Sequence, residues 1–143
     1  MTSNWRDERG SAAVEITLVA PVLVLFILVV IFGGRLALAR QAVESAAFDA
    51  ARAASLARTQ TDARTAAAKT AAATLANQKL PCSSTQLDLD TTGFDKPVGT
   101  PATITVHLVC DVATGDLGLP GIASTVPVDA EATSPLDAYR ERK

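Results

Sequence analysis

The sequence predicts an α+β chain: a long N-terminal transmembrane and stalk helix, a second Ala-rich helix and a small three-stranded antiparallel head. Three observations carry this prediction. Residues 16–34 form a run without a single charge, the stretch after it repeats apolar residues at alternating spacings of three and four, and beyond Pro81 the period changes to two. With 143 residues, 48% of them hydrophobic and only 4% aromatic, the chain has room for one modest folded unit besides that run.

The uncharged run reads ITLVAPVLVLFILVVIFGG. At about 1.5 Å per residue it is roughly 28 Å long, close to the ~30 Å hydrocarbon core of a bilayer, so it is expected to cross a membrane once. Pro21 forfeits one backbone hydrogen bond near its start and is expected to bend the helix. A secretory signal peptide would have a shorter apolar stretch closed by a small-x-small cleavage site. Here the run passes through Gly33-Gly34 into an amphipathic segment, which favours a retained anchor.

In that segment Leu36, Ala39, Val43, Ala46, Ala50, Ala53 and Ala57 follow one helical seam. Small residues allow close helix approach, either to like subunits or to the protein's own head; periodicity leaves both open. A second helix is expected over about residues 63–77, capped by Thr59 or Asp62 and ended by Leu80-Pro81. Strands are expected where apolar and polar residues alternate, at 86–90, 103–112 and 125–133, with a turn-rich link at 114–121 between the last two. Three strands cannot bury a face alone, so an Ala-rich helix is expected to cover them.

Cys82 and Cys110 both fall in this head, and a disulfide between them is the economical reading; a reactive thiol and a metal site are the rivals. The sole histidine, His107, precedes Cys110 by three residues, an odd offset that sends their side chains to opposite faces of a strand and disfavours a catalytic pair. No zinc-type spacing, phosphate-cradling Gly-rich loop or nucleophile elbow is present, so no enzyme activity, cofactor, metal or small-molecule substrate is expected. Thirteen Lys and Arg against fifteen Asp and Glu leave no basic excess, and nucleic-acid binding is not expected either.

The segment ahead of the apolar run, Arg9-Gly10-Ser11-Ala12-Ala13-Val14-Glu15, places a carboxylate at the mouth of the span, five residues after Gly10. An ionisable group there costs desolvation unless it reaches the interface or a counter-charge. With Pro21, Gly33-Gly34-Arg35 and the Ala/Arg-rich continuation over 43–57, this pattern resembles the type IV pilins and pseudopilins. Within that class it resembles the TadE-like proteins of the tight-adherence (Flp) pilus machinery. The resemblance implies a leader over residues 1–10 removed by a prepilin peptidase between Gly10 and Ser11, a transmembrane helix over 11–35, a stalk over 36–80 and a disulfide-bonded head over 81–143. It also implies an assembly role for Glu15, other pilins or pilus-assembly subunits as partners, and a bacterial cell membrane location with the head extracytoplasmic. The charge rule alone gives the opposite orientation, since Arg35, Arg40 and Arg52 follow the span while Arg6 and Arg9 precede it; the cysteine pair and the leader outweigh a difference of one arginine. The alternative function is a single-pass anchor displaying an extracytoplasmic binding head, which would need neither the Gly-Ser junction nor the glutamate five residues on.

Overall fold

The computed structural model describes the backbone of residues 8–115 and 123–137, with side chains from residue 15 onward in those spans. Its elements run in the order α1 (Glu8–Ser55), α2 (Gln60–Asn77), β1 (Cys82–Asp90), a 3₁₀ turn (Thr92–Asp95), β2 (Ala102–Ala113) and β3 (Thr125–Leu136). The architecture is α+β, as expected. The chain divides into two compact units, Met1–Arg35 and Leu36–Lys143, so the Ala-rich helical segments share a unit with the sheet. Helical backbone continues through Pro21 without interruption.

In the second unit α1 buries Ala39, Ala42, Val43, Ala46, Ala47, Ala50, Ala51 and Ala54 in one core with α2 and the sheet. This resolves the choice left open by periodicity, because the alanine seam packs within its own chain. Ala53 and Ala57 of the expected seam are only half-buried, and Ala54 is buried instead. The reason is geometric: a strict three-four alternation repeats every 3.5 residues, and a straight helix of 3.6 residues per turn drifts from it by about 20° per heptad. The buried band is wide enough to meet two neighbours. Asp49 accepts a hydrogen bond from the Thr74 hydroxyl of α2 at 2.9 Å, and Ser55 Oγ accepts one from the Ser134 hydroxyl of β3 at 3.0 Å.

Thr59 caps α2, with its Oγ1 accepting from the Asp62 N–H at 3.0 Å while its hydroxyl donates to the Asp62 carboxylate at 2.8 Å. The helix therefore starts at Gln60, three residues earlier than the apolar pattern suggests, and buries Ala63, Ala67, Ala71 and Leu75. It ends before Pro81 is reached. Lys79 takes a left-handed conformation with φ of 54°, its N–H donating to the Ala76 carbonyl and the Leu80 N–H to the Leu75 carbonyl. This is a Schellman closure with lysine where glycine is usual, and Leu75 and Leu80 supply its apolar contact.

The sheet is an antiparallel meander in the order β1-β2-β3. On its inner face Ile104, Val106, Leu108 and Cys110 of β2 are fully buried, flanked by Leu89 of β1 and by Val128 and Ala130 of β3. Burying an aliphatic side chain of this size contributes roughly 1.5–3 kcal/mol, so β2 is the principal apolar strand of the core. β3 is an edge strand, and Pro127 and Pro135 share one parity along it, which places both missing N–H groups on the unpaired side.

A bulge in β1 lies between Cys82 and Ser84, which pair with Val112 and Asp111. Strand parity would otherwise send Cys82 away from the side of Leu87 and Leu89, since an even and an odd position face oppositely. The extra residue, Ser83, reverses that parity, and Cys82 reaches Cys110 to form the disulfide.

The β1–β2 connection contains the element missing from the sequence reading. Its 3₁₀ turn buries Phe94, and a Cβ at Gly93 would collide with the Thr103 carbonyl oxygen and come within 2.9 Å of Leu136 Cδ1, so only glycine fits. Gly99, with φ of 89°, occupies the third position of the turn closed by the Thr100 N–H on the Pro97 carbonyl, a type II turn that requires this conformation. At the start of the connection the backbone N–H of Thr92 donates to Asp90 at 2.9 Å and holds that carboxyl below its ordinary range. The expected link at 114–121 is described only at its start, where Thr114 donates its N–H to the Ser124 carbonyl and its hydroxyl to the Ala123 carbonyl. Residues 116–122 lie outside the described residues, as does the basic stretch 140–143.

Replacing Cys82 or Cys110 with Ser opens a closure 28 residues apart in sequence. The unfolding free energy is expected to fall by about 2–5 kcal/mol, measured by chemical denaturation of the detergent-solubilised protein under oxidising conditions.

Candidate anchoring and assembly segment

The first part of α1 has a surface unlike any other part of the described residues. Ile16, Leu18, Val22, Phe26 and Val29 are each more than half exposed, as are Leu23, Val24 and Leu25 between them, so apolar side chains surround the helix on every side. A helix that is apolar all round and this long is of a length and composition to cross a membrane, which suggests a single-pass anchor. The sequence supplies this with β-branched Val and Ile, which lower helix propensity slightly in water, whereas a bilayer leaves the backbone no partner other than itself.

Glu15 stands exposed at the beginning of this surface. Gly10 and Ser11 lie upstream in helical backbone of the same element, and their side chains fall outside the described residues. Five residues of helix span roughly 7.5 Å, so the Gly10-Ser11 junction lies less than two turns from the glutamate. Residues 1–7, the start of the expected leader, are outside the described residues.

In the second unit the two cysteines are joined to each other, which removes both as nucleophiles or metal ligands. His107 lies on the opposite face of β2 from Cys110, as the odd offset predicts. It is exposed, with Nε2 3.9 Å from Asp129 Oδ2. A polar clasp that periodicity could not indicate ties α2 to the β1–β2 connection. Gln60 Nε2 donates to Asp95 at 2.9 Å, Arg64 Nη2 donates to Thr91 Oγ1 at 3.1 Å, and the Thr91 hydroxyl donates to Gln60 Oε1 at 3.3 Å. Thr91 is buried, and these bonds satisfy its hydroxyl. The residues are about 30 positions apart, so no local pattern joins them.

The outer face of the sheet is made by the polar half of each strand alternation. In register, Asp88, His107 and Glu131 form one row, Gln86, Val109 and Asp129 a second, and Ser84, Asp111 and Pro127 a third. The Ser84 hydroxyl donates to Asp111 across the first pair of strands.

Residues 10–52 match the family model for TadE-like protein. The match begins at Gly10, includes Glu15 and the whole apolar run, and ends on the alanine band, so the resemblance read from the leader and the span holds over this segment. TadE-like proteins are associated with the Tad pilus, and the family is a structural rather than an enzymatic one. No curated protein and no solved structure matches the chain.

A Leu25→Arg substitution puts a charge at the middle of the span. On the translocon insertion scale a central arginine costs about 2.5–3.5 kcal/mol. The variant is expected to lose much of its membrane fraction in carbonate-washed membranes, while Leu38→Arg, beyond the span, keeps it.

Proposed function

We propose that the chain is a minor pilin or pseudopilin-like component of a Tad/Flp-type pilus assembly or related secretion system. In this reading a prepilin peptidase cuts it between Gly10 and Ser11, and it assembles through its N-terminal helix with its folded unit outside the cell membrane. One observation carries the reading: the Gly10-Ser11 junction and the carboxylate five residues later fall together inside the TadE-like segment, directly ahead of a helix that is apolar on all sides.

Each part of the arrangement has a physical task. Gly10 is a poor helix former, about 1 kcal/mol below alanine, so the junction unwinds more readily than the alanines after it and can enter a protease in extended form. Cleavage removes Arg6 and Arg9 and creates an α-amine that is largely cationic at neutral pH, its ordinary pKa being roughly 7.7–8.0. Glu15 and that amine then lie near the same membrane depth. Pairing with the amine of a neighbouring subunit relieves the desolvation of both charges and fixes axial register between adjacent helices. The disulfide supports an oxidising compartment for the folded unit.

Intact mass spectrometry of membrane-extracted protein is expected to show loss of residues 1–10 and two fewer hydrogens than the reduced mass. Retention of those ten residues in cells with an active prepilin peptidase overturns the processing step. Glu15→Gln is expected to leave cleavage and insertion intact and to reduce co-purification with partner pilins severalfold; undiminished recovery leaves Glu15 an interfacial residue. Protease added to intact protoplasts should digest the folded unit, and full protection reverses the orientation.

A further inference from the structure

We propose that the outer face of the sheet docks the basic helical surface of a second copy of this chain. Five carboxylates, Asp88, Asp90, Asp111, Asp129 and Glu131, occupy outward positions of the three strands, and none of the outward positions on these strands holds Lys or Arg. Asp90 already accepts from the Thr92 N–H with Lys96 acting on it, and Asp111 from the Ser84 hydroxyl, which leaves Asp88, Asp129 and Glu131 as the carboxylates around His107. His107 sits among them, with Asp88 and Glu131 beside it in register and Asp129 3.9 Å away. No two of these carboxylates stand directly opposite each other in register, but gathering one sign of charge on a single face is unfavourable through their summed repulsion. A counter-charge from outside relieves that repulsion.

The same folded unit supplies such a surface on its helical side. Residues 36–79 carry six Lys and Arg against three carboxylates, and one of those three, Asp49, is already engaged by Thr74. Arg40, Arg52, Arg58, Lys69 and Lys79 are all exposed. The helices cover the inner face of the sheet, so the acidic and basic surfaces belong to opposite sides of a two-layer unit. This geometry decides the kind of contact. A two-fold pairing through the sheet face would set carboxylates against carboxylates, whereas face-to-back contact sets each acidic face against the basic helices of the next copy. The inference rests on the membrane-anchored assembly reading above and names the partner surface within it.

The test uses the full-length, disulfide-intact chain in detergent, with self-association followed by sedimentation at low and high salt. Asp129→Lys with Glu131→Lys, and separately Arg52→Glu with Lys69→Glu, are each expected to weaken association about tenfold at low salt, in keeping with the coupling of close charge pairs across interfaces. The two double variants mixed together, and the chain carrying all four changes, are expected to recover it. Thermal unfolding of each variant checks that the exposed substitutions leave the fold intact. Unchanged association in both double variants overturns the proposal, as does failure of both the mixture and the fourfold variant to recover. Loss of surface filaments with self-association unaltered assigns the acidic face to a different cationic partner and likewise overturns it. Leader cleavage, read by intact mass on the same samples, reports on the assembly reading independently of these outcomes.

Discussion

The close approach permitted by alanine along residues 39–54 of α1 is the constraint on which the folded unit depends. Eight small or β-branched positions on that band are buried, and most of them have no exposed surface at all. Larger side chains would push the sheet and α2 outward, and the hydrogen bonds from Thr74 to Asp49 and from Ser134 to Ser55 both need those elements close. The core is therefore thin and contains only one buried aromatic, Phe94, among the described residues. A thin core gains little from burial per residue, which makes covalent and polar ties more valuable here than in a larger domain.

Those ties are distributed with some economy of chain. The Cys82–Cys110 bridge joins the entry of β1 to the middle strand, and the Ser83 bulge is what turns Cys82 inward to make it. The clasp of Gln60, Arg64, Thr91 and Asp95 joins the start of α2 to the connection after β1. Each tie spans between 27 and 35 residues of sequence, so together they close loops that the small apolar core would hold only weakly.

One helix, α1, answers to two environments by composition alone. Over 16–34 it presents Val, Ile, Leu and Phe in every direction, and over 39–54 it presents alanine to one side and polar or charged residues to much of the rest. The TadE-like match covers the first stretch and the second as far as Arg52, and stops before the sheet. The apolar run and most of the alanine band are thus the part of the chain similar to the TadE-like model, and of the charge-segregated surfaces the sheet lies beyond it while the helical side, with Arg40 and Arg52, lies partly within it.

The sequence by itself determined the elements whose pattern is local. Absence of charge over 16–34 defined the apolar helix, two-residue alternation located the three strands while missing the start of β1 from Cys82 and the end of β3 to Leu136, and the odd offset of His107 from Cys110 put them on opposite faces. The cysteine pairing was legible too, because an even count in a small head leaves few alternatives. What the alanine seam packs against was not legible, since a stripe of small residues suits a neighbouring subunit and the chain's own sheet equally well; only the tertiary core placed it inside. The tertiary structure also decided the bulge at Ser83, the requirement for glycine at position 93 and the Thr91 clasp. Each depends on residues distant in sequence that meet only once the sheet has closed on the helices, and no periodicity records such a meeting.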